Sequence, residues 1–155
     1  MREVRQFFAG VVENVFHSDL GICDPEPIGY FSELLVSYIH VDDLFPFGNK
    51  NRRVKDVSQL LSKAKTKEQK RQICRYIGDF TVFWVGLYPE NIRNLHGTGL
   101  GFSTSDFAEQ GKKFYLIARR CTSSKQKPPP HLLEDLSNHY HDYVHGLSLC
   151  RKEFA

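Results

Sequence analysis

A carboxylate at position 79 stands at the head of GDFTVFWVGLYPE, the most apolar stretch of the chain, in which nothing from Phe80 to Tyr88 is charged. Beside Val82 and Phe83, a buried acid is costly unless it is paired. Arg75, four residues earlier, offers an ordinary i,i+4 ion pair, and a bond to a neighbouring helix end would serve as well. Arg119 or Arg120, far along the chain, would instead make Asp79 a polar anchor in an apolar pocket, with a raised pKa if no partner is near. The aromatic side chains Phe80, Phe83, Trp84, Phe114 and Tyr115 could form the wall of a site for a flat ligand. The candidate ligand-binding set is therefore Asp79, Phe83, Trp84, Arg119 and Arg120. An aromatic stripe is also the ordinary material of a core, so the pattern implies no cofactor.

NHYHDYVHGLSLC carries three histidines. His141 and His145 are four apart on one helical face, the spacing of two ligands to a transition metal, and His139 with Asp142 makes another pair. Both His141 and His145 project away from the apolar seam of their helix. An exposed pair with no third ligand holds metal weakly, and neither H-E-x-x-H nor a cysteine pair completes it. HGTGLGF lacks the preceding strand and following Lys-Ser/Thr of a phosphate-binding loop, so it reads as a connector. No serine or cysteine lies in a nucleophile motif. Asp42 and Asp43, being adjacent, point to different sides of a helix. Nothing here assigns catalysis.

These groups need elements to position them. Val4, Phe7, Phe8, Val11, Val12 and Val15 repeat at helical spacing in a first helix over residues 3–17. CDPEP then starts a second, with Asp24 as N-cap and Pro25 at a first position that needs no donor. Phe31, Leu34, Leu35, Tyr38 and Val41 line it, and LFPFGN should stop it. Val54, Val57, Leu60, Leu61 and Ala64 predict a short third helix. Thr66 with Gln69 three residues on resembles a capping box and opens a long segment in which two signals conflict. Phe80 to Val85 are strand formers, yet Ile73, Ile77, Phe80, Trp84, Leu87 and Tyr88 share one helical face. The period continues back through KRQICRYI, which has no strand character, so the segment is read as helix. Val82, Phe83 and Val85 lie off the stripe, which makes its second half apolar nearly all round and the buried centre of a bundle.

A fifth helix, capped by Ser103, runs through Phe107, Gly111, Phe114, Tyr115, Ala118 and Cys121 until KQKPPP breaks it. Leu133, Leu136, Tyr140, Tyr143, Leu147 and Cys150, at alternating spacings of three and four, predict one last helix with a packed seam. Gly10, Gly78, Gly86, Gly111 and Gly146 fall inside predicted helices, where each costs about 1 kcal/mol relative to alanine. Close approach of helix backbones would compensate, or space left for a ligand.

IGDFTVFWVGLYPENIR followed by FAEQGKKFYLIARRCTS resembles a family of bacterial all-helical proteins with no assigned activity. The matching positions are Gly78, Asp79, Phe83, Gly86, Leu87, Tyr88, Glu90, Phe114 and Tyr115, and they span about half the chain. The resemblance implies an all-helical fold and brings no catalytic residues.

The totals agree with one domain over residues 1–155: the chain is 41% hydrophobic, enough for a real core. Cys23, Cys74, Cys121 and Cys150 are too scattered for a disulfide framework and read as reduced, mostly buried thiols. No apolar run reaches the roughly 20 residues of a membrane span, and MREVRQFFAGVVENVF lacks the form of a signal peptide, so a soluble, cytoplasmic protein is expected. The net charge of +3 is segregated. Residues 1–49 are acidic, while 50–75 are strongly basic, a block that attracts anionic partners or neutralises the acidic segment. Nucleic-acid binding would need Arg52, Arg53, Lys63, Lys67, Lys70 and Arg71 on one surface; a solvated helix face is the plainer reading. The expected fold is an all-α, single-domain bundle of about six helices around a buried central helix. The expected role is that of a non-catalytic binding or regulatory protein acting through a protein partner or self-association. A small-ligand protein or enzyme with a pocket at Asp79 is the alternative, and a nucleic-acid-binding protein the second.

Overall fold

The computed structural model describes residues 2–38, 61–92 and 104–154. Among them there are six α-helices and no strand: α1 Arg2–Val15, α2 Pro25–Ser37, α3 Lys67–Leu87, α4 Thr104–Arg120, α5 Pro130–Asn138 and α6 Tyr140–Lys152. The fold is an all-α bundle with α3 at its centre. That helix packs most extensively on α4 and then on α6, α4 packs on α5, and α1 lies against α2.

Period overrides propensity in α3. Phe80 to Leu87 are all buried and all helical, because α-helical geometry satisfies every backbone group locally while neighbouring helices cover each face. Thr66 caps it as its sequence suggests, accepting from the Gln69 N–H at 3.0 Å. The reciprocal bond differs from a capping box, since Gln69 Oε1 accepts from the Lys65 N–H at 2.8 Å. At the other end Arg151 donates to the Leu87 carbonyl at 2.8 Å, pairs with Glu90 at 2.6 Å and stacks over Tyr88, so a side chain from α6 satisfies a helix end that would otherwise be orphaned.

Asp24 caps α2, accepting from the Glu26 N–H at 3.0 Å, with Pro25 at the first position. α1 runs into a π-helical turn over Phe16–Leu20, which Gly21 ends in the left-handed region at φ 68° with its N–H donated to the Phe16 carbonyl. Of the α1 stripe, Val12 and Val15 are buried, while Phe7 is half exposed. The predicted single last helix is instead two. His139, at φ −113° and ψ 28°, leaves the helical region between α5 and α6. The His139 N–H still reaches the Asp135 carbonyl, and the Tyr143 N–H the His139 carbonyl. The deviation is one residue wide, so the seam from Leu133 to Cys150 remains buried across it. Of the four free cysteines, Cys74 and Cys150 are buried, Cys121 is half-buried and Cys23 is exposed, so only half of them fit the expectation of buried thiols. No helix among the described residues is long and apolar enough to cross a membrane.

The predicted third helix falls mostly on residues 39–60, outside the described residues; Leu61 to Lys63 are helical. Ser103, the predicted cap of α4, HGTGLGF, Asp42, Asp43, Arg52 and Arg53 also lie outside them.

Of the five glycines expected inside helices, four sit at close approaches, while a sixth, Gly29 of α2, has open space around it. A Cβ at Gly86 would lie 2.8 Å from the Leu147 side chain, and one at Gly146 2.8 Å from Phe16 and Leu20. Gly78 faces the Tyr115 ring and Gly111 faces Thr81 and Tyr140. Gly10 differs: it is exposed, with nothing near, and close packing does not account for it.

Arg71 is the largest departure from the sequence reading. It belongs to the basic run read as a solvated face, yet it is 2% exposed. Nε donates to Thr122 Oγ1 at 2.9 Å, Nη2 to the Lys127 carbonyl at 2.5 Å and Nη1 to Glu68 at 3.1 Å. One guanidinium thereby ties α3 to the α4–α5 connection, using the planar fork that lysine lacks. Arg71→Lys is expected to lower stability by about 2 kcal/mol, because a point-like ammonium reaches fewer of these acceptors and leaves others unpaired. Urea denaturation would measure it, and an unchanged midpoint would show the fork to be dispensable.

Candidate functional site

Gly78 and Asp79 act as a unit. Because Gly78 has no side chain, the Tyr115 ring of α4 lies directly on α3; a Cβ there would stand 2.7 Å from the ring. This close approach brings the Tyr115 hydroxyl to Asp79 Oδ1 at 2.7 Å. From the opposite side, Tyr30 of α2 donates to the same oxygen at 2.5 Å. Three helices thus meet at one carboxylate oxygen.

Burial pushes the Asp79 pKa above the ordinary carboxylate value, while Arg75 and the two phenols pull the other way. Both phenols are held well above their ordinary pKa, first by burial and then by the Asp79 charge, so they remain protonated and donate. The Asp79–Arg75 i,i+4 relation is present as an electrostatic influence, but the two groups do not meet in an ion pair. Arg75 makes a 3.3 Å bond to Gln72 and a further bond to the Tyr30 hydroxyl, and its buried Nε has no acceptor among the described residues.

Asp79 and Arg75 both open onto a cleft of about 710 Å³, within the size range of small-molecule sites. Gly29, Tyr30 and Leu34 of α2 with Tyr38 just past its end form one wall, Arg75, Tyr76 and Asp79 of α3 the floor, and Lys127, Pro128, Pro129 and Leu132 the far wall. Glu26 and Glu33 stand at the rim with partners already in hand: Glu26 bonds to His131 at 2.6 Å, and Glu33 pairs with Arg5. Through its bond to the Lys127 carbonyl, buried Arg71 holds the far wall against α3.

Of the candidate ligand-binding residues, only Asp79 lines this cleft. Phe83 is buried and stacks on Tyr38 at 4.5 Å, one layer behind the wall. Trp84 is buried among Phe80, Phe83 and Tyr88, its Nε1 lacking an acceptor among the described residues. Arg119 pairs with Glu134 at 3.1 Å and Arg120 is exposed, so neither reaches Asp79. Tyr30 and Tyr115 take the place foreseen for an arginine. Tyr115 was legible as part of the aromatic stripe and as the match beside Phe114; nothing local singles out Tyr30.

No family, curated protein or solved structure matches the chain. The chemistry of the site therefore stands on its own geometry.

His141 and His145 are both exposed on α6, and His141 packs edge-on against Tyr140. His139 bonds to Asp135 at 2.7 Å rather than to Asp142. It borders a second, smaller depression of about 450 Å³ with Asp19, Asp24 and Asp142. Among the described residues no three histidine, cysteine or acidic side chains converge to hold a metal ion. In the basic block Lys63, Lys67 and Lys70 are exposed, whereas Arg71 is committed to the interior and cannot join a nucleic-acid-binding surface.

Proposed function

We propose that this protein binds a small ligand in the cleft between α2, α3 and the α4–α5 connection, without catalysis of its own. The observation that supports this reading is the Arg75–Asp79 arrangement. Two oppositely charged groups one helical turn apart reach the same cleft without closing an ion pair, and burial works against the acid's charge. A site that served stability alone would do as well with an amide, which accepts the same phenol bonds at lower desolvation cost; a titratable acid held there beside an arginine is the mark of a binding site. The cleft's remaining surface, tyrosine, leucine and proline, suits the apolar body of an organic molecule.

Gly29 supplies the test. It is exposed on α2, lines the cleft and has nothing within 4 Å of an added Cβ, so Gly29→Trp would place an indole in the cavity without strain at its root. Native mass spectrometry of the protein purified from cells is expected to show a small-molecule adduct, lost in Gly29→Trp while the melting temperature is kept. An adduct of equal occupancy in both proteins, or none in either, would reject the cleft as the ligand site.

A second reading, action through protein contact, is favoured by Phe7. It is 50% exposed and stacks edge-on with Phe8 at 5.4 Å, with Phe154 close by at 6.4 Å. The same native spectrum tests it: a strictly monomeric mass at tens of micromolar would remove self-association through this spot.

A further inference from the structure

Resting on the ligand-binding reading above, we infer that the cleft selects a zwitterion of amino-acid type, its ammonium on Asp79 and its carboxylate on Arg75. The two oxygens of Asp79 are unequal. Oδ1 is saturated by Tyr30 and Tyr115. Asp79 lines the cleft, and Oδ2 accepts from none of the described residues. It is left for a donor arriving through the cleft.

Arg75 presents the complementary demand. Its guanidinium has five N–H donors; Gln72 takes one at 3.3 Å and the Tyr30 hydroxyl another. Its buried Nε lacks an acceptor among the described residues, and its planar fork matches a carboxylate. At the rim Glu26 and Glu33 already hold His131 and Arg5, while Lys127 of the far wall adds a second cation beside Arg75 for a carboxylate. An amine alone would leave Arg75 unanswered and be repelled by it; an acid alone would meet the same difficulty at Asp79. Only a molecule carrying both signs answers both groups. Its apolar portion would lie along Tyr30, Leu34, Tyr38 and Leu132.

Isothermal titration of the full chain with three probes that share one body decides the class: L-phenylalanine, phenethylamine and 3-phenylpropionate. Phenylalanine is expected to bind about tenfold or more tightly than either analogue. Asp79→Asn should erase that advantage over the acid, and Arg75→Met that over the amine. Equal affinity for phenylalanine and one analogue, or no binding of phenylalanine, would overturn the zwitterion assignment. Should a cell-derived adduct still disappear in Gly29→Trp, the cleft would stand and the ligand class alone would fall. Phenylalanine binding that survives Gly29→Trp undiminished would instead remove the cleft and the assignment together.

Discussion

Gly111→Ala is expected to destabilise the protein by about 3–5 kcal/mol, reversing the sign of an ordinary glycine-to-alanine change within a helix. A Cβ at this position would stand 2.2 Å from Thr81 Oγ1, 2.7 Å from Tyr140 Cε2 and 2.8 Å from the Tyr140 hydroxyl. Neither neighbour is a loose side-chain end. Thr81 and Tyr140 are each 1% exposed. They are also bonded to one another and onward: the Tyr140 hydroxyl donates to Thr81 Oγ1 at 2.9 Å, and Thr81 donates to the Gly78 carbonyl at 2.8 Å. An added methyl must either part α3 from α4 or break a buried bond, and a buried hydroxyl left unpaired costs roughly 1–3 kcal/mol beyond the strain itself. Gly10→Ala is the control. Gly10 is exposed on α1 with an open surround, so alanine there should stabilise by up to about 1 kcal/mol. Denaturant midpoints at constant m-value would measure both, and equal stability of Gly111→Ala and the parent would show that α3 and α4 do not approach as closely as described.

Asp79 separates stability from function. Asp79→Leu is expected to cost about 3–5 kcal/mol, because it strands two phenol donors, one of them on Tyr115, which is 0% exposed. Asp79→Asn should cost little or even stabilise, since the amide oxygen accepts both bonds and no charge is buried. The pH dependence follows from the direction of the shift. The folded protein holds the Asp79 proton more tightly than the unfolded chain does. Below about pH 4 the acid is protonated in both states and imposes no penalty. As the pH rises from there through the folded pKa, the unfolded chain releases the proton first and stability falls, then levels off. Subtracting the Asp79→Asn profile from the parent profile cancels the other carboxylates and isolates this decline. A difference that grows in favour of the parent as the pH rises would mean that the Arg75 charge outweighs burial at this site.

What the sequence determined by itself is local. The helical course of Phe80 to Val85, the caps at Asp24 and Thr66, and the burial of the seam from Leu133 to Cys150 each follow from patterns within a few turns, where period, capping chemistry and propensity act between neighbours. The bend at His139 escaped because a one-residue deviation leaves the three-and-four spacing intact. Arg71 escaped for a different reason: its charge matches the exposed lysines around it, and only the approach of Thr122 and Lys127, more than fifty residues away, makes its interior position favourable. The site is tertiary in the same sense. Asp79 could be singled out as a carboxylate in apolar company, but its partners come from 49 residues before and 36 after. No spacing rule connects residues that far apart. Which hydroxyl or guanidinium reaches a buried oxygen depends on how closely helices can pack, and at Asp79 that was decided by the missing side chain of Gly78.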